Sequence, residues 1–437
     1  MNLEDIILYN KFLEDYFYKD FKKDNNNCFV ELIISPYCNL KCKYCYINKF
    51  QDKLFSKDIY NENNILVNLE YFLSWLDKNN FRIRFDLFSG EIFAQEIGYK
   101  VIDKIYEWSK NTNNKPLEIC IPTNYTFLNS EETTKRVERY IEKFNSLKIP
   151  FILSTSVDGI YCEENRQYKK NIDLSLEHKD INEFYDKVFA FNSKYKYGFH
   201  PMIYSNKIDL WKKNFLWFQN KLEEYDIPWS DIYLLQVRNV EWTDEQIKNF
   251  YDFIYWLNDW LYNKIGETKY LENILGIAEE RTNFNILSQP FTNGINKTKG
   301  LSCSLQPSLS IRLADLKVHP CHRLMYPKFE IGQYDKDFTF ITKNASLGLS
   351  VYGIDSTRTQ PICYDCKINH LCAGQCLGAQ YETNDSLFVP IQSVCKLNHS
   401  LLIAILDFCK DKNLLNDLIN KLDTIQKEQV KRIMNLN

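Results

Sequence analysis

The sequence predicts an α/β fold in which repeated strand–helix units form a parallel sheet, followed by a cysteine-rich region and C-terminal helices. Between residues 28 and 240, short apolar runs typical of strands alternate with longer amphipathic stretches typical of helices. Such alternation predicts a parallel sheet with right-handed crossovers, whose functional residues gather at the C-terminal strand ends. Three of the 14 cysteines lie at 38–45 and seven lie between 303 and 395, so two cysteine groups accompany this framework.

The composition is that of a globular protein and argues against several classes of function. Of 437 residues, 45% are hydrophobic and 25% are charged, and the formal net charge of −3 offers no basic surface for nucleic acid. No apolar run reaches 18 residues and the N-terminus is acidic, so we expect neither a membrane span nor a signal peptide. We therefore expect a cytoplasmic protein, in which thiols stay reduced and 14 cysteines indicate metal or iron–sulfur binding rather than disulfides.

The predicted elements divide the chain into five regions. We predict an N-terminal helix over 1–27, strand–helix units over 28–240, a helical bridge and linker over 241–300, a cysteine-rich domain over 301–397 and C-terminal helices over 398–437. The predicted strands are 29–35, 82–88, 116–122, 151–157, 197–204 and 231–237. Helical periodicity covers 64–79, 94–112, 130–147, 174–194, 207–225 and 243–264. Six such units are too few to close an eight-stranded barrel.

The first cysteine group lies on a loop directly after the first predicted strand. Cys38, Cys42 and Cys45 have the spacing C-x3-C-x2-C, and Tyr44 precedes the last of them. The loop thus supplies three thiolates, whereas a cubic iron–sulfur cluster takes four ligands, so one iron would stay open to a small molecule. The alternatives are buried structural cysteines or part of a zinc site, although zinc prefers four ligands in paired sets and no fourth Cys or His lies nearby.

This loop resembles the cysteine motif of the radical S-adenosylmethionine (SAM) enzymes, in which the open iron binds the amino and carboxylate groups of SAM. The resemblance implies a partial (β/α)6 barrel over 28–240, with Tyr44 among the residues that bind the cofactor. It also implies that SAM is cleaved reductively to a 5′-deoxyadenosyl radical, which abstracts a hydrogen atom from the substrate.

Three further motifs at successive strand ends resemble SAM-binding elements of the same family. Ser89-Gly90-Glu91 resembles its Gly-Gly-Glu-Pro motif, whose backbone and glutamate receive the SAM amino group. Thr123-Asn124 resembles its Thr-Asn-Gly turn, which makes Asn124 a cofactor-binding candidate, and 156–159 resembles its Ser-x-Asp-Gly motif. The resemblance implies that Ser156 contacts the ribose or carboxylate of SAM, that Asp158 shapes the loop and that Arg166 is the candidate for the carboxylate.

The second cysteine group has the pattern C-x2-C-x5-C-x3-C followed by a distant cysteine, and it resembles the SPASM extension of radical SAM enzymes. That extension holds two auxiliary [4Fe–4S] clusters. The resemblance implies a distal cluster on Cys363, Cys366, Cys372 and Cys395, and a nearer cluster on Cys303, Cys321 and Cys376 with its fourth position unassigned. Leu316 and Gln375 stand where the family pattern has glycine, and we expect neither to touch a cluster ligand. A pair of zinc ribbons is the alternative, although seven cysteines divide poorly into two zinc sites.

The resemblance implies modification of a ribosomally made precursor peptide, by a thioether or carbon–carbon cross-link. The implied cofactors are SAM and three [4Fe–4S] clusters. The implied partners are the precursor peptide, an electron donor such as flavodoxin or ferredoxin, and a separate leader-recognition protein. We expect neither nucleic acid nor a membrane as a partner.

Two other functions remain open on the sequence alone. Sulfatase-maturating enzymes oxidise a protein Cys or Ser, and they place an Asp base directly after the second cysteine of the extension, where this chain has His322. His322 is accordingly the one candidate for a catalytic residue, because imidazole can act as a base near neutral pH. A non-enzymatic iron–sulfur electron carrier would need no motifs for binding SAM.

Overall fold

The computed structural model describes residues 29–54, 60–88, 90–168, 180–237, 240–279, 282–292, 308–337, 340–341, 361–372 and 374–436. The predicted N-terminal helix over 1–27, together with Ser89 and Cys303, lies outside the described residues.

A parallel sheet forms the centre of the fold, as the repeated strand–helix units of the sequence predict. Its strands β1 (Phe29–Ile33), β3 (Arg84–Phe88), β4 (Ile119–Thr123) and β5 (Phe151–Thr155) are neighbours and all parallel. Parallel bridges from Thr155 to Phe199 and from Phe199 to Ile232 continue it towards the pair β7 (Met202–Ile203) and β8 (Leu235–Gln236). Six chain segments thus follow one another in parallel, as an α/β fold built from strand–helix units requires.

Helices follow the strands and cover the sheet. After the cysteine loop come α1 (Tyr46–Leu54) and α2 (Glu62–Asn79), and the next crossovers are α3 (Glu96–Asn111), α4 (Glu131–Ser146), α5 (Ile181–Tyr195) and α6 (Trp211–Glu224). The side chains of Asn61, Ser130 and Asp180 cap α2, α4 and α5, because each accepts a hydrogen bond from a free backbone N–H of the first turn.

The cysteine-rich region contributes strands to the same sheet, which the sequence analysis did not predict. Strand β9 (Ser308–Arg312) pairs in parallel with β1, on the side opposite β3. The antiparallel strands β10 (Lys317–His319), β11 (Gly332–Tyr334) and β12 (Phe340–Ile341) complete an eight-stranded mixed sheet. Leu316, in the β9–β10 turn, has a φ of 58°, which explains why glycine suits this position.

Two long helices join the middle of the chain to its C-terminal region. Helix α7 (Asp244–Ile265) packs along α12 (Gln392–Asp411), and hydrogen bonds of 2.7 Å from Tyr251 to Asp407 and from Tyr255 to Asp411 fix their register. The remaining helices are α8 (Glu267–Ile274), α9 (Asn285–Thr292), α10 (Pro361–Tyr364), α11 (Leu377–Asn384), α13 (Leu415–Lys421) and α14 (Thr424–Ile433). None of the helices within the described ranges has the length and apolarity needed to span a membrane.

Candidate functional site

The loop that carries Cys38, Cys42 and Cys45 lies at the C-terminal end of β1. Its middle forms the short strand β2 (Leu40–Cys42), which pairs antiparallel with β6 (Arg166–Tyr168) and sets Cys42 opposite Arg166. The backbone N–H of Lys43 donates to the carbonyl of Asn165 at 2.8 Å. The chain beyond β5 therefore anchors the cysteine loop in place.

The three thiols are close enough to influence one another. Burial raises the pKa of the Cys42 thiol, the charge of Arg166 lowers it, and Cys38 and Cys45 add to the increase. Among the described residues, no three His, Cys, Asp or Glu side chains are grouped so as to hold a single metal ion. An iron–sulfur cube instead binds each thiolate through a different iron, so its ligands need not converge on one point. A cluster on these three cysteines stays a prediction.

The residue Gly90 brings the end of β3 into contact with this loop. Its N–H donates to the carbonyl of Ser35 at 3.0 Å, and the N–H of Glu91 donates to the carbonyl of Tyr37 at 2.7 Å. A Cβ atom at Gly90 would lie 2.1 Å from the carbonyl oxygen of Tyr37, which no side chain could tolerate. Glycine is therefore required here for close approach of two backbones.

The carboxylate of Glu91 connects the ends of β3 and β4. It is 2% exposed and accepts hydrogen bonds from Phe93 N at 3.2 Å, Thr123 Oγ1 at 2.8 Å and Asn124 N at 2.6 Å. Burial raises the pKa of Glu91 to about 7, and these donors oppose the increase. Its predicted contact with the amino group of SAM stays a prediction.

Two asparagines connect the end of β4 to the cysteine loop. The Asn124 amide donates to Asn39 Oδ1 at 2.8 Å and lies 3.9 Å from Cys38 Sγ, and Asn39 donates to Thr126 Oγ1 at 2.8 Å. Asn39 is fully buried and was not identified from the sequence. Its position directly after the first cysteine is the only signal that could have found it.

A chain of hydrogen bonds connects the loop after β5 to Tyr44, the residue before the last cysteine of the motif. The hydroxyl of Tyr44 donates to Asp158 Oδ2 at 2.6 Å and accepts from Arg166 Nη1 at 3.1 Å. Asp158 Oδ1 also accepts from Met202 N at 3.0 Å, so its carboxylate shapes the loop, as the sequence analysis expected. Burial raises the pKa of Asp158, and the charge of the buried Arg166 opposes that increase. Ser156 reaches the same strand ends through a bond of 2.9 Å from its N–H to the carbonyl of Thr123.

A second group of polar residues surrounds His322. Its ring Nδ1 lies 2.7 Å from Glu31 Oε1, its backbone N–H donates to Glu31 Oε2 at 2.9 Å, and its ring stacks on Phe88 with the ring centres 4.2 Å apart. Ser310 donates a further bond to Glu31. Burial would raise the pKa of Glu31, but the charge and hydrogen bonds of His322 and the bond from Ser310 lower it. The sequence analysis missed Glu31, although a carboxylate within an apolar strand is a signal for a buried partner.

The C-terminal cysteines assigned to the distal cluster lie together. Cys363, Cys366, Cys372 and Cys395 line one small cavity, along with Gln375 and His399. The expectation that Gln375 would not touch a cluster ligand is wrong, because its Nε2 lies 3.2 Å from Cys395 Sγ.

One cysteine assigned to the nearer cluster, Cys321, lies near the first cysteine loop. Burial raises the pKa of the Tyr46 hydroxyl, and Cys45 and Cys321 both add to the increase, so both thiols are near this ring. Cys376 directly precedes α11. Burial would lower the pKa of Arg323, but the proximity of Cys376 and the hydrogen bond to Glu382 raise it. Because Cys303 lies outside the described residues, the grouping of the three cysteines stays a prediction.

Comparison with known proteins agrees with this geometry. No protein-family model matches the chain. The chain is similar to the radical SAM cyclopropyl synthase TigE of Paramaledivibacter caminithermalis, at 25% identity over 174 residues. The match covers 38% of this chain and 34% of TigE, so it spans about a third of that relative.

Solved structures share the fold over most of the chain. Native anSMEcpe with bound AdoMet (SAM) aligns with a TM-score of 0.58, at 18% identity, over 90% of this chain and 99% of that one. The same protein with bound AdoMet and the Kp18Cys peptide aligns with a TM-score of 0.57 over the same shares. The sequence similarity to TigE agrees with the predicted resemblance to radical SAM enzymes, and the solved structures show that the chain shares their fold.

Proposed function

We propose that this chain uses SAM and a [4Fe–4S] cluster on Cys38, Cys42 and Cys45 to modify a ribosomally made peptide. The observation that supports this most directly is the contact of the cysteine loop with the ends of three neighbouring strands, through Gly90, Asn124 and Asp158. When bound, such a cluster and SAM supply a radical that removes a hydrogen atom from the substrate.

The proposed SAM-binding residues are Tyr44, Ser89, Gly90, Glu91, Asn124, Ser156 and Arg166. In this proposal Gly90 allows the backbone of β3 to approach the cysteine loop, and Glu91 keeps the adjoining turns in a fixed position. A guanidinium carries five N–H donors, and the bond to Tyr44 occupies one of them. The guanidinium of Arg166 therefore suits the carboxylate of SAM. Tyr44 and Asp158 hold this guanidinium beside Cys42.

We propose two auxiliary clusters in addition. The cavity lined by Cys363, Cys366, Cys372 and Cys395 supports the distal one, since it gathers four thiols from separate parts of the chain. The nearer one would be bound by Cys303, Cys321 and Cys376, and its fourth iron would be open or held by a group other than cysteine. An open iron there would suit a substrate thiolate, because metal coordination lowers the pKa of a thiol.

A peptide substrate is proposed from the comparisons together with the fold. The relative TigE is a cyclopropyl synthase, and anSMEcpe has been solved with a peptide bound. We propose formation of a thioether or carbon–carbon cross-link, with an electron donor such as flavodoxin or ferredoxin supplying the electron for each cleavage of SAM.

A second candidate reaction is oxidation of a Cys or Ser side chain in a protein. It is favoured by one observation, the contact between Glu31 and His322. Such an oxidation removes a hydrogen atom, a proton and an electron from the substrate. Because Glu31 holds Nδ1 of the His322 ring, Nε2 is the nitrogen that could accept the proton.

The proposal is tested by anaerobic reconstitution of the full chain with iron and sulfide, followed by incubation with SAM and dithionite. We expect 5′-deoxyadenosine from the wild type and none from Cys42→Ala. Cys120→Ala, which removes a half-buried thiol of β4, is the matched control and should retain the reaction. Stoichiometric zinc without sulfide in protein purified anaerobically would contradict the proposal.

A further inference from the structure

Nitrogen donors surround the sulfur atoms of the cavity lined by Cys363, Cys366, Cys372 and Cys395. Gln375 Nε2 lies 3.2 Å from Cys395 Sγ, and Asn398 Nδ2 lies 3.5 Å from Cys372 Sγ. The backbone N–H of Gly374 also donates to Cys372 Sγ, at 3.3 Å. Two of the four thiols thus receive hydrogen bonds from side-chain amides.

The orientation of the Gln375 amide is fixed by its other partners. Its Oε1 accepts from the backbone N–H of Ile391 at 2.8 Å, and its Nε2 donates to the carbonyl of Ile391 at 3.1 Å. Since a backbone N–H can only donate, the oxygen must face it and the NH2 group must face the sulfur. The side chain is 5% exposed, so the arrangement is shielded from water.

The Asn398 amide is oriented by the same principle. Its Nδ2 donates to the carbonyl of Gly374 at 3.0 Å, which places its NH2 group beside Cys372. The side chain is 3% exposed. Asn398 lies on α12, three residues after Cys395, so the helix that carries one cysteine also carries a donor to another.

Hydrogen bonds to thiolate ligands change the reduction potential of an iron–sulfur cluster. Reduction adds negative charge, part of which resides on the sulfur atoms, and an N–H donor stabilises the more negative state. The potential of a cluster therefore rises with the number of such donors, whereas shielding from solvent lowers it by disfavouring the more negative state.

We propose that Gln375 and Asn398 are positioning residues that raise the reduction potential of a [4Fe–4S] cluster held by Cys363, Cys366, Cys372 and Cys395. This rests on the distal cluster of the proposed function. Because Gln375 stands where the family pattern has glycine, the amide donor to Cys395 is a property of this chain and predicts a higher potential than glycine would give.

The test is a redox titration of the reconstituted full chain, monitored by EPR, in wild type, Gln375→Met and Asn398→Leu. Methionine matches glutamine in length but has neither N–H donors nor charge. To isolate one signal, all the proteins carry alanine in place of Cys38, Cys42, Cys45, Cys303, Cys321 and Cys376. We expect the midpoint potential to shift to more negative values in each variant, and further in the double variant.

The matched control is Gln426→Met, because the buried amide of Gln426 donates to the carbonyl of Phe291 and should leave the midpoint unchanged. A second measurement is ENDOR of the reduced cluster after exchange into D2O. An exchangeable deuteron coupling should be present in the wild type and weakened in Gln375→Met, which a merely structural role of the side chain would not produce.

The outcomes separate the inference from the function on which it rests. Unchanged midpoints and deuteron couplings in variants that retain four irons would overturn the role of the two amides. If Gln375→Met does not bind four irons, the test rests on Asn398→Leu, whose midpoint potential should still be more negative than that of the wild type. A wild-type background that binds no iron at the four cysteines would overturn the distal cluster itself.

Discussion

The Nδ1 atom of His322 lies 2.7 Å from Oε1 of Glu31, which joins the residue after Cys321 to the first strand of the sheet. Glu31 also accepts from the backbone N–H of His322 at 2.9 Å, so one carboxylate fixes both the ring and the turn that carries it. The contact ties the cysteine-rich region to β1 through side chains, just as β9 does through its backbone.

We predict a measurable coupling between these two residues. In a double-mutant cycle with Glu31→Gln and His322→Phe, the free energy of unfolding should show a coupling of about 0.5–3 kcal/mol, because the ring Nδ1 lies within hydrogen-bonding distance of Oε1. The exposed pair Lys328–Asp385 is the control, with an expected coupling of about 0–1 kcal/mol. A coupling near zero for Glu31 and His322 would show that they act independently.

Replacing the three cysteines of the first loop should remove one cluster. Wild-type protein with three cubic clusters should bind about twelve irons, and the triple Cys38, Cys42 and Cys45 to alanine variant about eight. Iron and sulfide are measured after anaerobic reconstitution. Equal iron contents in the two proteins would remove the loop from the set of cluster ligands.

Gly90→Ala should also lose the cluster of the first loop. The added Cβ would lie 2.1 Å from the carbonyl oxygen of Tyr37, so the loop must move. We expect formation of 5′-deoxyadenosine to fall to the level of Cys42→Ala. Gly198→Ala is the control, because a Cβ atom at Gly198 would lie 3.1 Å from the carbonyl oxygen of Asp231. Full activity in Gly90→Ala would show that the close approach is unnecessary.

Glu91→Ala should weaken the binding of SAM by about 1.5–3 kcal/mol if the carboxylate holds the ammonium group. Affinity is measured by equilibrium dialysis of the reconstituted protein. Glu91 also accepts hydrogen bonds from three protein donors, so Glu91→Ala removes more than a charge. Glu91→Gln is therefore measured beside Glu91→Ala, because glutamine keeps an acceptor oxygen and loses the charge. Unchanged affinity in both variants would place Glu91 outside the SAM site.

The same residue predicts a dependence of stability on pH. Burial raises the pKa of Glu91 from 4.5 to about 7, so between these values the unfolded chain has lost the proton that the folded chain retains. The contribution of protonated Glu91 to the free energy of unfolding is fully present below pH 4.5. That free energy falls by about 3 kcal/mol as the pH rises to 7. Glu91→Gln should remove this part of the decrease, as followed by denaturant unfolding of the metal-free protein. Identical pH profiles for wild type and Glu91→Gln would contradict it.

The sequence alone determined the strand–helix units of the parallel sheet and the position of the first cysteine group after β1, because both depend on local patterns. Apolar runs that alternate with helical periodicity specify strand–helix units, and the spacing from Cys38 to Cys45 specifies one loop. The grouping of Cys363, Cys366, Cys372 and Cys395 was likewise predicted, on the resemblance of their spacing to a known extension, and these residues line one cavity.

Only the tertiary structure decided how these parts meet. Glu31 and His322 are 291 residues apart in the chain, and their contact follows from the pairing of β9 with β1, which no local pattern indicates. The bond from Gln375 to Cys395 likewise depends on the position of Ile391, directly before α12, since the backbone of that residue orients the amide. Composition and spacing specify which polar groups a chain carries. Which of these groups bond to one another in the interior depends on tertiary packing, because packing excludes the water that would otherwise be their partner.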